Sequence, residues 1–122
     1  MLSLHRAEGF GLVLAEAMLL GKPVIATGWS GNMGFMDAAS AATVGYRLVP
    51  VEDARQVYRD SYWAEPDVAD AAAHLRRLAD DAETRAAMGA RGKALVTRRL
   101  SATPLADAVR SLGLPIGRDV PR

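Results

Sequence analysis

At 122 residues and 13.0 kDa the chain is one domain's worth of sequence, enough to bury a single modest core and too short for two. Half of it is hydrophobic, 24% is charged and the mean hydropathy is +0.03, which is the balance of a globular protein and excludes a disordered tail. Fifteen Lys and Arg against fourteen Asp and Glu leave a net charge of +1, so nucleic acid has no strong electrostatic reason to bind; the absence of cysteine excludes disulfides, thiolate metal sites and cysteine nucleophiles, leaving His5 and His74 as the imidazole ligands.

No secretory signal is visible, because Met1 is followed by His5, Arg6 and Glu8 without an apolar run. The most apolar stretch, Phe10 to Leu20, contains Glu16 and falls short of the roughly 20 residues a spanning helix needs. A soluble chain is expected, and the lack of cysteine fits the cytosol.

In chain order, Leu2-Ser3-Leu4 reads as the end of a buried strand and Gly9-Phe10-Gly11 as a glycine-rich turn. A helix follows from Leu12 to Leu20 and stops at Gly21; Lys22-Pro23 then leads into a strand over Val24-Ile25-Ala26-Thr27. Such continuously apolar strands are buried on both faces in parallel sheets covered by helices. Gly28 to Asn32 is a loop, Met33 to Ala42 a weakly signalled helix, and Gly45 to Val51 a third strand. After a polar connection from Asp53 to Tyr62, the segment Trp63 to Asp67 opens a helix with Pro66 at its first position, Asp67 and Asp70 at its positive end and Arg76 and Arg77 at its negative end. Val68, Ala71, Ala72, Leu75, Leu78 and Ala79 form its buried stripe. A further helix over Glu83 to Val96 is weakened by Gly89 and Gly92, and a last one, capped by Thr103, carries Leu105, Ala108, Val109 and Leu112 before Gly113. Residues 114–122 read as a flexible tail behind a folded unit over 1–113.

The fold class is therefore α/β, with a partial doubly wound, Rossmann-like parallel sheet. Three parallel strands leave two open edges, so the expectation is the second half of a larger domain.

Seven residues separate Glu8 from Glu16. In an open parallel sheet the loop at a strand's carboxyl end is where ligands bind, and a helix N-terminus there offers unpaired N–H groups to an anion. Gly9 and Gly11 would let backbone approach a phosphate. Glu16, the one charge from Phe10 to Gly21, sits on a helix apolar nearly all round, so a buried carboxylate in need of partners is expected; a pair of ribose hydroxyls would satisfy it. On spacing alone, an equal alternative has Glu16 facing solvent and Glu8 merely favouring the helix N-terminus. His5 and Arg6 adjoin the loop and could line a pocket or reach a phosphate, although a lone His at a strand end is more often structural. His74 reads as a surface residue, Trp29 and Trp63 as packing residues, and Arg98-Arg99 as solvated or dipole-compensating.

Glu8-Gly9-Phe10-Gly11-Leu12, Ala15-Glu16-Ala17-Met18, Gly21 to Thr27 and Ser30-Gly31-Asn32 together resemble the E-x7-E region of retaining GT-B glycosyltransferases of group 1 (family four). Trp63 to Asp67 is similar to the segment that closes the domain in one branch of that family, and the resemblance runs to about Leu112. Gly34 stands where relatives commonly carry an acidic residue. The resemblance implies the C-terminal, donor-binding domain of such an enzyme, using a nucleotide-sugar and a carbohydrate or lipid-linked acceptor, with no cofactor and no metal. Glu8 is then the catalytic-site glutamate beside the transferred sugar; Gly9, Phe10, Gly11 and Leu12 bind donor through backbone amides, and Glu16 holds the ribose. The basic residues for the diphosphate and the acceptor-binding groups would come from a missing N-terminal portion, so the isolated chain is expected to be inactive. The resemblance also implies a cytoplasmic location and leaves association with the membrane's cytoplasmic face open. Two rival readings are a non-enzymatic nucleotide- or phosphate-binding module and a fragment that docks a partner chain along its sheet edge.

Overall fold

The computed structural model describes residues 1–55 and 57–113; the tail expected over 114–122 lies outside the described residues. Strands β1 (Leu2–Ser3), β2 (Ile25–Thr27) and β3 (Ala42–Val44) form a parallel sheet in that order, with Leu2 opposite Ile25 and Thr27 opposite Val44. Helix α1 (Leu12–Leu19) makes the crossover from β1 to β2. Its end is set locally: Gly21, at φ +68°, donates its N–H to Met18 C=O at 2.8 Å, and Lys22 N–H reaches Ala17 C=O at 2.9 Å. This paired bonding with a left-handed glycine is the Schellman arrangement, which satisfies the last carbonyls and turns the chain into β2.

Three more helices follow, α2 (Val68–Asp80), α3 (Ala82–Arg99) and α4 (Thr103–Ser111). Leu14 and Met18 of α1 and Val96 of α3 bury one face of the sheet together with Val24, Ala26, Phe35 and Met36. Ala71 and Leu78 of α2 and Met88 of α3 close over Ile25, Ala42 and Val44 on the other. Every residue of β2 is buried, as a central strand between two helical layers requires. At the sheet edge, however, Leu2 is exposed rather than buried. Among the described residues no helix is long and apolar enough to cross a membrane.

Several local expectations are corrected. The third parallel strand is Ala42–Val44, not Gly45 to Val51, and the segment Met33 to Ala42 holds a short 3-10 turn over Gly31–Gly34 followed by irregular chain in place of a helix. At Gly45 the chain leaves the sheet: its N–H donates to Asp70 Oδ2 and its C=O accepts from Asp67 N–H, both at 2.8 Å. Beyond it, β4 (Tyr46–Pro50) pairs antiparallel with β5 (Tyr62–Pro66), placing Val49 opposite Trp63. Pro66 consequently ends a strand, a position in a two-stranded ribbon where its missing N–H costs no interior ladder bond. Asp67 caps α2, accepting from Ala69 and Asp70 N–H at 2.9 and 3.0 Å. Of the expected stripe on α2, Ala71 and Leu78 are buried, while Val68, Leu75 and Ala79 are exposed.

The glycines of α3 do not interrupt it. A Cβ on Gly89 would lie 2.1 Å from Gly21 O, and one on Gly92 3.0 Å from Ser40 O and 3.3 Å from Met18 Cε. They are the points where α3 meets the end of α1 and the entry to β3 at backbone distance. Helix α4 begins one residue earlier than expected, with Ala102 rather than Thr103 as its cap, and buries none of its side chains.

Candidate functional site

The site is built on two loops at the carboxyl ends of adjacent strands, residues 4–11 after β1 and residues 28–34 after β2. The loops are stitched together at Glu8, whose backbone carbonyl accepts from Ser30 Oγ–H at 2.7 Å and from Gly31 N–H at 3.0 Å. The approach is so close that a Cβ on Gly31 would stand 2.0 Å from Gly9 O and 2.9 Å from Glu8 O. Ser30 adopts φ +79°, a left-handed value uncommon for a residue with a side chain, and that conformation accompanies the Oγ bond to the facing loop.

Gly9 and Gly11 serve different needs. Gly11 has φ +92° and is buried; an added Cβ would meet Asn32 Cβ at 3.1 Å, Phe35 Cζ at 3.3 Å and Glu8 Cγ at 3.5 Å. Its lack of a side chain is thus explained within the chain, by backbone conformation and by close packing against Asn32 and Phe35. Gly9 is exposed, and a Cβ there would meet nothing within 4 Å. No contact inside the described chain accounts for a glycine at that position. Phe10 leans its half-exposed ring on buried Phe35, with centroids 5.2 Å apart.

Behind the loops lies a polar core. Buried Asn32 donates Nδ2–H to Thr27 C=O at 3.0 Å, and its Oδ1 is 3.1 Å from His5 Nε2, which is also 3.1 Å from Trp29 C=O. Both of those partners are acceptors, so the His5 proton is assigned to Nε2, leaving Nδ1 to accept from Ser3 Oγ–H at 3.1 Å. His5 therefore latches the end of β1 to the 28–34 loop. On the far side of that loop, Arg99 donates to Gly34 C=O at 3.1 Å and Arg91 to Ala39 C=O at 2.6 Å, so Arg99 is more than a solvated or dipole-compensating charge. Within the irregular segment before β3, the Ser40 hydroxyl and the amides of Ser40 and Ala39 hold the Asp37 carboxyl below the ordinary carboxylate range, partly opposed by desolvation.

Glu8 is half-buried on the first loop, and Glu16 lies about one turn into α1. Of the two readings left open for Glu16, the solvent-facing one holds and the buried carboxylate does not: Glu16 is exposed, on the same side of α1 as exposed Leu12, Val13 and Leu20. The helix is apolar on two sides because only Leu14, Ala15 and Met18 face its own sheet. At its N-terminus no side chain caps the backbone and no acidic residue sits in the first turn, so Gly11 as cap leaves first-turn N–H groups open.

A third group was underrated by sequence reasoning. Arg6, two residues before Glu8, pairs with Glu65 and lays its guanidinium 4.8 Å from the centre of the Trp63 ring. The β4–β5 ribbon is fastened to the first loop by Ala64 N–H donating to Arg6 C=O at 2.8 Å, and to the second by Trp29 against Tyr46, with ring centroids 5.3 Å apart. The signal for this lay in the aromatic residues on either side of the polar connection, which periodicity did not pair. His74, expected at the surface, lies 3.4 Å from Asp70 and is partly covered. Among the described residues no three His, Asp or Glu side chains gather as a metal-binding group.

Residues 1–95 match the family model described as glycosyl transferases group 1. No curated protein matches the chain.

Proposed function

The chain belongs to the group 1 glycosyl transferases, and from that premise we propose that it is the donor-binding part of a retaining enzyme that moves a sugar from a nucleotide-sugar to a carbohydrate or lipid-linked acceptor. The observation that carries the reading is Gly9: a glycine with open space before it, followed by an uncapped helix N-terminus, and held in place by the Gly31 crossing. Such a surface offers backbone N–H groups and positive partial charge to a diphosphate that can come close because no Cβ intervenes.

In this reading Glu8 contacts hydroxyls of the transferred sugar, the amides of Gly9, Phe10, Gly11 and Leu12 meet the sugar or diphosphate, and Glu16 accepts hydrogen bonds from the ribose hydroxyls. An exposed Glu16 is available for that task, whereas a carboxylate satisfied inside the chain would not be. Transfer forms the bond between the anomeric carbon and the acceptor oxygen on the face from which the diphosphate departs. The bond from that carbon to the phosphate oxygen breaks, and the acceptor proton passes to the phosphate. No metal or cofactor enters these steps.

The arrangement also calls for a neighbour along β1. Met1, Leu2, Pro23 and Leu75 border an apolar groove of about 310 Å³ beside that strand, whose outer edge has no strand partner among the described residues. A further part of the same sheet, supplying the basic groups for the diphosphate, would cover it.

The two glutamates separate in a binding experiment on the full enzyme. Glu16→Gln should weaken nucleoside diphosphate binding roughly ten- to a hundredfold, as the loss of hydrogen bonds to a charged group implies. Glu8→Gln should leave diphosphate affinity nearly unchanged while lowering the rate of transfer. Calorimetry with the diphosphate beside initial rates with the sugar donor measures both; equal loss of diphosphate affinity in the two variants would refute this division of roles.

A further inference from the structure

Ser30 holds a conformation that its own side chain makes unfavourable. Its φ of +79° is combined with a ψ of −153°, a region of backbone space that is in practice glycine's alone. Both ends of the residue are pinned, Trp29 C=O by His5 Nε2–H at 3.1 Å and Gly31 N–H by Glu8 C=O at 3.0 Å. The turn between those two bonds takes this shape, and a glycine would adopt it without strain. A serine stands there instead, exposed to solvent.

What the serine adds is a grip on one residue. Its hydroxyl donates to Glu8 C=O at 2.7 Å and accepts, at 3.4 Å, from Glu8 N–H. Those two groups belong to the peptide planes on either side of the Glu8 Cα, so a single oxygen restrains both of the dihedral angles that aim the Glu8 side chain. Among the described residues the Glu8 carboxylate has no hydrogen-bond or ion-pair partner of its own, which leaves the backbone to set where it points. Both bonds to Ser30 are open to solvent, where water competes for each partner, so they offset little of the strain as folding stability.

Resting on the transferase reading above, we propose that Ser30 is a positioning residue for Glu8: a serine occupies the glycine-only conformation because its hydroxyl fixes the backbone from which the carboxylate reaches the transferred sugar. A role in folding alone would favour glycine at position 30, and a role in packing would bury the side chain. Glu8 is the group assigned to the sugar, whereas the ribose is assigned to Glu16 on α1. The hydroxyl therefore governs the rate of transfer and not the affinity for the nucleotide.

The test compares Ser30→Gly with Ser30→Ala: both remove the hydroxyl, and only glycine relieves the strain. In urea unfolding of the chain, Ser30→Gly should have the higher midpoint of the two, because strain relief exceeds the added freedom of the unfolded chain. An equal or lower midpoint would show that there is no strain to account for and would overturn the proposal. Backbone amide relaxation measured by NMR should show the Glu8 N–H order parameter falling from about 0.85 in the wild-type chain toward about 0.6 in both variants, and an unchanged value would overturn the proposal as well. In the full enzyme, Ser30→Gly should lower kcat by about tenfold or more and leave nucleoside diphosphate affinity within about twofold of wild type. In a Glu8→Gln background, where no carboxylate remains to be aimed, the same substitution should lower kcat by less than about twofold further. Full additivity of the two substitutions would mean that Ser30 does not act through Glu8, and a loss of diphosphate affinity equal to the loss of rate would mean that the hydroxyl binds the donor itself; either result refutes the positioning role. A wild-type full enzyme that transfers no sugar would refute the transferase reading, while the unfolding and relaxation measurements, which need no substrate, still decide whether Ser30 holds Glu8.

Discussion

Gly31→Ala tests whether the crossing of the two loops is what positions Glu8. The added Cβ would lie 2.0 Å from Gly9 O and 2.5 Å from Gly9 C, so relief requires the loops to part by about 1.4 Å to reach ordinary contact. Both neighbours are backbone atoms, so no side-chain rotation removes the clash. Parting the loops stretches the bonds that Gly31 N–H and Ser30 Oγ–H make to Glu8 C=O, at 3.0 and 2.7 Å, each contributing about 0.5–1.5 kcal/mol. Overpacking in a tight contact costs about 1–3 kcal/mol, and the stiffer unfolded chain returns about 0.4–1 kcal/mol. The net expectation is a loss of about 1–3 kcal/mol, measured by urea unfolding followed by far-UV circular dichroism. Amide shifts of Glu8 and Gly9 should move with it, and a misplacement of this size in a catalytic loop lowers transfer by about a hundredfold in the full enzyme. Wild-type stability together with unmoved Glu8 and Gly9 resonances would show that the crossing does not hold the loop.

Gly9→Ala is the counterpart: with nothing within 4 Å of the new methyl, stability should stay within about 0.5 kcal/mol while affinity for the sugar donor falls, and unchanged donor affinity would remove the reason given for a glycine there. Gly89→Ala should lower the unfolding midpoint, because a helix-propensity gain of about 1 kcal/mol is outweighed by a Cβ placed 2.1 Å from Gly21 O; a more stable variant would mean that α1 and α3 can separate freely. Asp37 has a folded-state pKa below its ordinary value, so its contribution is fully present above the ordinary aspartate range and is lost as pH falls through the lowered folded value. Asp37→Asn should flatten the acid limb of stability against pH, and an acid limb identical to wild type would exclude Asp37 as a contributor.

The sequence by itself determined the elements whose causes are local. Helix α1 and its stop were legible because Gly21 provides the positive φ that closes the last turn through bonds to Met18 and Ala17, all within a few residues. The burial of β2 was legible because Ile25-Ala26-Thr27 has no charged member to turn toward water. The family could be recognised because the segments Glu8 to Leu12, Ala15 to Met18, Gly21 to Thr27 and Ser30 to Asn32 lie close together along the chain and match it in combination. What only the tertiary structure decided involves partners distant along the chain. Apolar content over Gly45 to Val51 could not show that β4 leaves the parallel sheet, because that depends on Asp70 taking the Gly45 N–H and on β5 arriving to pair. Gly89 looked like a weakness in a helix until Gly21 was placed against it, and Gly31 looked like one more loop glycine until Gly9 O was found where its Cβ would be. The orientation of Glu16 stayed open in the sequence for a related reason. Counting apolar neighbours along a helix shows how hydrophobic its surface is, but the sheet covers only one side, and which side it covers is set by packing.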